Sequence, residues 1–185
     1  MTLKAGARER HKHYLQQALR CVTDAAYFYW AQPPLRDDPD LWSLDTNPKP
    51  IELERMAGGT LYLAIGQSLR VRYHKKQWRM STQQYIYNVA ELPDSPGSRD
   101  YLFAWHWHPE LGPQECHLHA NAALSNGMRL DKKHLPTARV SLEEVLRFLI
   151  SECDVFPARD DWQQVLDETQ RRYEQHRTWA GSRKP

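Results

Sequence analysis

Cysteine is scarce in this chain: Cys21, Cys116 and Cys153 are the whole set, and no two of them stand in CxxC spacing. An odd, unclustered set excludes a disulfide framework and a thiolate zinc site, and it fits a reducing, cytoplasmic setting. Long apolar runs are missing too. The first thirty residues alternate charged and apolar side chains, so neither a signal peptide nor a membrane span is legible. Excess charge of one sign is also absent, with a net +2 over 185 residues. That total is too small to argue for a nucleic-acid partner by itself. Basic residues do gather at the N-terminus (Lys4, Arg8, Arg10, Lys12) and in the tail (Arg171, Arg172, Arg177, Arg183, Lys184), for which solvated helix ends are the plain reading and contact with nucleic acid the alternative. There is no P-loop, GxGxxG, GxSxG or HExxH, which removes the familiar nucleotide-binding, serine-hydrolase and zincin signatures. No internal repeat or low-complexity stretch occurs.

What is present is ordinary globular composition, 41% hydrophobic and 26% charged, with seven Trp and nine Tyr. The length suits one domain spanning 1–185. Within 1–32, Leu15, Ala18, Leu19, Val22, Ala25, Ala26 and Tyr29 recur at helical spacing, which predicts an amphipathic helix stopped by Pro33-Pro34. Residues 33–57, rich in Pro, Asp and Asn, read as a long ordered connection. From Gly58-Gly59 the pattern becomes that of strands, over 58–122. Leu61, Leu63 and Ile65 alternate, then Leu69, Val71 and Tyr73 alternate with Arg70, Arg72 and His74. A turn is expected at Lys75-Lys76-Gln77, a strand over Trp78–Val89, and a loop at Pro93–Gly97. Two further strands follow, Tyr101–His108 and Glu115–Ala122, around a loop at Pro109–Gln114. Two helices occupy 140–179. Ser141 with Glu144 forms a capping box before the stripe Leu142, Val145, Leu146 and Leu149. Asp160 or Asp161 caps the last helix, with stripe Trp162, Val165, Leu166, Thr169 and Tyr173. The sum is an α+β fold: an antiparallel sheet of about four to six strands, with an N-terminal and two C-terminal helices packed on one face.

Four of the nine histidines form two His-x-His units, His106/His108 and His117/His119. Residues two apart on a strand share a face. All four converge only when paired residue numbers sum to an odd value, such as 106 with 119 and 108 with 117. In that register Phe103, Trp105 and Trp107 share the other face with Cys116, Leu118 and Ala120. A one-residue slip would turn the tryptophans toward the histidines, so burial of one face selects convergence.

Clustered imidazoles support two chemistries. With pKa values near ~6.5, one His is a base while its neighbour is an acid. This is the pairing of metal-free ribonucleases, with a cation on the phosphate; Arg70, Arg72, Arg79 or Arg139 could supply it. Alternatively His106, His108, His117 and His119 are ligands for zinc or another divalent metal in a hydrolase. A solvated strand face carrying histidines without a reaction is the plain alternative, and a non-enzymatic interaction module would follow from it. Tyr87, with Tyr85, is a candidate for stacking a base, or equally for packing. His134, in His134-Leu135-Pro136-Thr137, is a candidate to approach the hairpin together with Arg139, or simply to lead into the helix.

The order of these parts resembles the TumE-like toxins of prokaryotic toxin–antitoxin operons over roughly residues 60–152. The matching stretches are Tyr85-Ile86-Tyr87, Phe103-Ala104-Trp105-His106-Trp107-His108, Glu115-Cys116-His117-Leu118-His119 and Ser141-Leu142-Glu143-Glu144-Val145-Leu146. Residues 1–57 and the last helix lie outside the match, and Trp-His-Trp-His stands where the family tends to carry a basic and acidic pair. The resemblance implies a small toxin acting on RNA, an endoribonuclease with His117 and His119 carried over as acid–base residues, and a cognate antitoxin as partner. In that reading His106 and His108 assist, Arg139, Arg70, Arg72, Tyr87 and His134 contact phosphate or RNA, and no cofactor is needed.

Overall fold

The computed structural model describes residues 3–31, 38–74, 76–93, 101–109, 115–122, 130 and 133–176. Pro33-Pro34, most of the loops expected after Pro93 and Pro109, and Arg177, Arg183 and Lys184 lie outside them. Three helices, α1 (Leu3–Leu19), α2 (Leu142–Glu152) and α3 (Trp162–His176), accompany eight strands. The strands are β1 (Tyr27–Ala31), β2 (Leu41–Asn47), β3 (Ile51–Glu54), β4 (Thr60–His74), β5 (Gln77–Ala90), β6 (Phe103–Trp107), β7 (His117–Ala120) and β8 (Leu135–Pro136). All pairings are antiparallel, in the order β1-β2-β4-β5-β6-β7-β8, with β3 also on β4. The fold class is therefore α+β as expected, with more strands than the alternation alone suggested.

The N-terminal helix is shorter than the spacing predicted. It ends at Leu19, and Tyr27-Phe28-Tyr29-Trp30 forms an edge strand. Consecutive aromatics suit a pleated, half-buried surface better than a helix, and tertiary pairing with β2 overrides the helical spacing of Ala25, Ala26 and Tyr29. The proline-rich 33–57 stretch is likewise not a connection. It contributes β2 and β3, which pair with successive parts of one edge of β4. Two cis peptide bonds, Asn47–Pro48 and Lys49–Pro50, lie between them. The prolines that hid these strands lie before β2 and between β2 and β3, not inside either.

The two expected alternations at Leu61–Ile65 and Leu69–Tyr73 are one long strand, β4, whose register against β5 shifts between Ser68 and Leu69. The extra residue is Gln83 of β5. This bulge lets Met80 and Thr82 be buried on the same strand as Tyr85, Tyr87 and Val89 across an odd spacing, while the two β4 runs are in phase. Lys76, in the expected turn, has φ 62°. One face of the sheet carries Leu63, Ile65, Leu69, Val71, Tyr85, Tyr87, Val89, Trp105 and Trp107 into the core. The stripes of all three helices cover it: Leu15, Ala18 and Leu19 from α1, Leu142, Val145, Leu146 and Leu149 from α2, and Leu166 from α3. Phe148 of α2 meets Phe103 and Trp105 edge-on at 5.3 and 5.5 Å between ring centroids. The capping box forms: Ser141 N–H donates to Glu144 Oε2 at 2.6 Å, and Glu144 N–H donates to Ser141 Oγ at 3.2 Å.

A candidate histidine metal centre

β6 and β7 pair as Phe103–Ala120, Ala104–His119, Trp105–Leu118 and His106–His117. The sums are odd, so the histidines share one face and the tryptophans the other, although the partners are displaced by two residues from 106 with 119. The face is not a solvated one. His117 is 2% exposed and His119 8%, while His106 and His108 are half-buried. β8 adds a fifth ring. Its pairing of Leu118 with Leu135 and His117 with Pro136 carries the preceding His134 to 4.7 Å from His117 and 4.8 Å from His119, centroid to centroid. The other separations are similar: 5.1 Å for His108–His117, 5.0 Å for His117–His119, 5.2 Å for His106–His119 and 5.8 Å for His106–His117. Tyr101 closes one side, 6.2 Å from His106 and 5.8 Å from His119.

Burial disfavours the charged form of two of these rings. His106 is pushed down to about 4, by burial first and then by His119, His117, His108 and His134. His117 is lowered by burial too, against the opposing effect of its bond to the Glu115 carbonyl. Both rings are therefore neutral at pH 7, each with one nitrogen lone pair.

Hydrogen bonds select which nitrogen that is. His117 Nδ1 lies 3.0 Å from the Glu115 carbonyl oxygen, a partner that only accepts. The proton thus sits on Nδ1, and Nε2 carries the lone pair; Nε2 is buried and has no partner. His106 Nε2 lies 2.8 Å from Asn88 Oδ1, and donation to that oxygen leaves the lone pair on Nδ1. His108 Nδ1 is a second buried ring nitrogen without a partner. His117, with one buried nitrogen orphaned and the opposite one anchored to an oxygen, has the outer-shell pattern of a metal-ligating histidine.

Two triads bring one ring nitrogen of each member within 4.8 Å of the others: His106, His108 and His117, and His117, His119 and His134. Tetrahedral ligands ~2.1 Å from a zinc ion stand ~3.4 Å apart. Closing from at most 4.8 Å needs side-chain adjustments of roughly an ångström, so the donor set fits a borderline divalent ion. Both triads require His117. With Nδ1 committed to Glu115, His117 has one nitrogen to give, and the triads are alternative seats for one ion. Both tautomer-fixing bonds belong to His106–His108–His117.

The arginines named as phosphate-binding candidates go elsewhere. Arg139 lies over the Trp107 ring with its guanidinium carbon 3.3 Å from the centroid, on the face opposite the histidines. Arg70 pairs with Asp38 at 2.5 Å, and Arg72 reaches Gln83 at 3.4 Å. Tyr87 is in the core, stacked on Tyr85 at 4.9 Å and accepting from Gln67 Nε2 at 2.8 Å, so it is not placed to stack a base. His134 does join the cluster. Asn88 was missed, although the alternation Tyr85, Tyr87, Val89 already placed it on the face away from the core.

The class defined by fold and site is an antiparallel α+β domain with a partly buried histidine cluster on the sheet face opposite its helices. No family model, no curated protein and no solved structure matches the chain, so the likeness to the TumE-like toxins rests on the residues quoted for it alone.

Proposed function

We propose that this protein is a metal-dependent hydrolase whose ion is held by His106, His108 and His117. The observation that carries the reading is the unpartnered, buried His117 Nε2, faced by two further imidazoles, with Nδ1 tied to a carbonyl. A bound divalent cation such as zinc supplies Lewis acidity toward a scissile phosphoryl or carbonyl group and toward a water molecule. Around it, His119 and the exposed His134 are positioned to pass protons between the buried site and solvent. Asn88 and the Glu115 carbonyl hold the rings of His106 and His117 in the ligating tautomer. The phosphodiester of RNA is the substrate that the resemblance to TumE-like toxins suggests, and an antitoxin is the partner it suggests.

A second reading keeps RNA as substrate without a metal. The 4.8 Å separation of buried His119 from exposed His134 favours it, since one sheltered and one solvated imidazole suit an acid–base pair. It is the weaker of the two, because Arg139 is turned to the other face and His106 is held neutral.

The deciding experiment measures metal content and RNA cleavage in untagged protein, with and without EDTA, for the native chain and His117→Ala. Stoichiometric metal that is lost in His117→Ala, with cleavage lost to EDTA, supports the hydrolase. Metal-free protein that takes up neither zinc nor cobalt overturns it, and cleavage that then persists in EDTA transfers the assignment to the acid–base pair.

A further inference from the structure

The core-facing stripe of β4 runs on past the helices that cover it. Leu69 is 0% and Val71 4% exposed, whereas Tyr73, next on the same face, is 63% exposed. Its direct cross-strand partner is the half-buried Trp78 of β5, with ring centroids 5.3 Å apart. Leu3, Gly6 and Arg10 of α1, with Lys76 and Gln77 of the β4–β5 turn, complete an open groove around this pair. Its volume is about 340 Å³, at the lower end of the ~300–1,000 Å³ of small-molecule sites. Leu3, Tyr73 and Trp78 thus make a contiguous apolar surface outside the core, which marks a place for a partner.

Charge selects which partner. Arg10 and Lys76 are exposed, and neither has a hydrogen bond or ion pair among the described residues. Lys4 borders the groove, its Nζ 4.8 Å from the Trp78 ring centroid and 2.8 Å from Asp40 Oδ1. No carboxylate lines the groove among the described residues. A second cleft shares Arg10, Gln77 and Trp78 with it and adds Tyr14, Arg79 and Arg172, so rings and cations continue along the same edge. Arg79 makes only long contacts there, 3.5 Å to the Gln175 carbonyl and 3.5 Å to Gln77 Oε1. An acidic peptide would satisfy the cations and leave the flat rings unused. An anionic membrane needs rings that project, whereas Tyr73 and Trp78 line a concavity. Flat faces joined by anions along a flexible chain are the chemistry of a single-stranded nucleic acid, which binds through basic grooves and aromatic platforms.

We infer that this groove binds single-stranded nucleic acid, with one base against Tyr73 and Trp78 and the flanking phosphates on Arg10 and Lys76. Bases in a duplex are stacked on one another and do not reach the rings, so the strand must be unpaired. The inference is independent of the histidine centre, which lies on the opposite face of the sheet.

The test is fluorescence anisotropy of the full chain with labelled unstructured oligonucleotides of about ten residues, as RNA, as DNA and as the matching duplex. Either single strand is expected to bind at least about fivefold more tightly than the duplex, and comparison of the two separates RNA from DNA as the source. Tyr73→Ala is expected to weaken single-strand binding at least about fivefold, and Tyr73→Phe to restore it within about twofold. Between about 50 and 200 mM salt, Arg10→Gln combined with Lys76→Gln should flatten the logarithmic salt slope by about 1.4, two phosphate contacts of a single strand. His117→Ala, which dismantles the histidine centre, should bind within about twofold of the native chain. Absence of binding at low salt, equal affinity for the duplex, or indifference to Tyr73→Ala overturns the inference. So does loss of binding in His117→Ala, which would move the strand to the other face. Capture by phosphatidylserine vesicles that depends on Tyr73, without oligonucleotide binding, overturns it in favour of a lipid surface.

Discussion

His106 and His117 are direct cross-strand partners whose rings meet at a steep angle, 84° between planes, with centroids 5.8 Å apart. Each is fixed from outside the pair, His106 by Asn88 and His117 by the Glu115 carbonyl. The lone pairs are therefore set before any ligand arrives, which is the preorganisation a metal centre requires.

His117 is common to both triads, so its loss should remove both seats. In a cobalt titration followed by visible absorption, His117→Ala should weaken binding more than about 100-fold, beyond the range for outer-shell changes. His134→Ala should change it less than fivefold or so, since the His106–His108–His117 seat survives. Equal losses in the two variants would argue for the His117–His119–His134 triad instead.

Asn88 touches no ion in this arrangement; it orients His106. Asn88→Ala should lower metal affinity about 10- to 100-fold, the usual effect of removing an outer-shell partner. Metal stoichiometry should be retained. An unchanged dissociation constant would mean that His106 is not a ligand.

Arg139 separates the metal reading from the phosphate-clamp reading. Its guanidinium lies on Trp107 on the helical side, and a desolvated cation–π contact contributes about 1–2 kcal/mol. Arg139→Met should therefore lower stability by that amount in urea denaturation and leave metal affinity within twofold or so. Loss of RNA cleavage at unchanged stability would restore the catalytic assignment.

Glu143 and His11 give the fold a pH signature. The Glu143 pKa is raised from 4.5 to about 7 in the folded state, chiefly by burial. The folded chain thus holds this proton more tightly than the unfolded one, and the stability so contributed is lost as pH rises from 4.5 through 7. His11 is lowered from 6.5 to about 4 by burial, so its contribution is lost in the opposite sense, as pH falls from 6.5 through 4. Glu143→Gln removes only the first dependence. Relative to the native chain, its stability should rise between pH 5 and 8 by about 3 kcal/mol at most, taking 1.36 kcal/mol per pH unit. A difference that stays flat across that range would place the Glu143 proton elsewhere.

Local chemistry carried much of this protein in the sequence. Ser141 and Glu144 announce the start of α2, because a side-chain cap needs only neighbouring residues. The alternation of Trp and His over Trp105–His108 determines that His106, His108, His117 and His119 share a face once the tryptophans are buried, because strand geometry has a period of two. Other features depended on partners distant in the chain. Tyr27–Ala31 is a strand because β2 lies beside it, and Leu41–Asn47 and Ile51–Glu54 are strands because β4 offers them an edge. The same holds within the site. β8 recruits His134, β5 supplies Asn88, and Trp107 draws Arg139 to the far face. The sequence by itself determined which histidines stand together; the tertiary structure decided what stands around them. Side-chain parity is a property of one strand, whereas neighbours, burial and tautomer follow from packing between segments that the order of residues does not bring together.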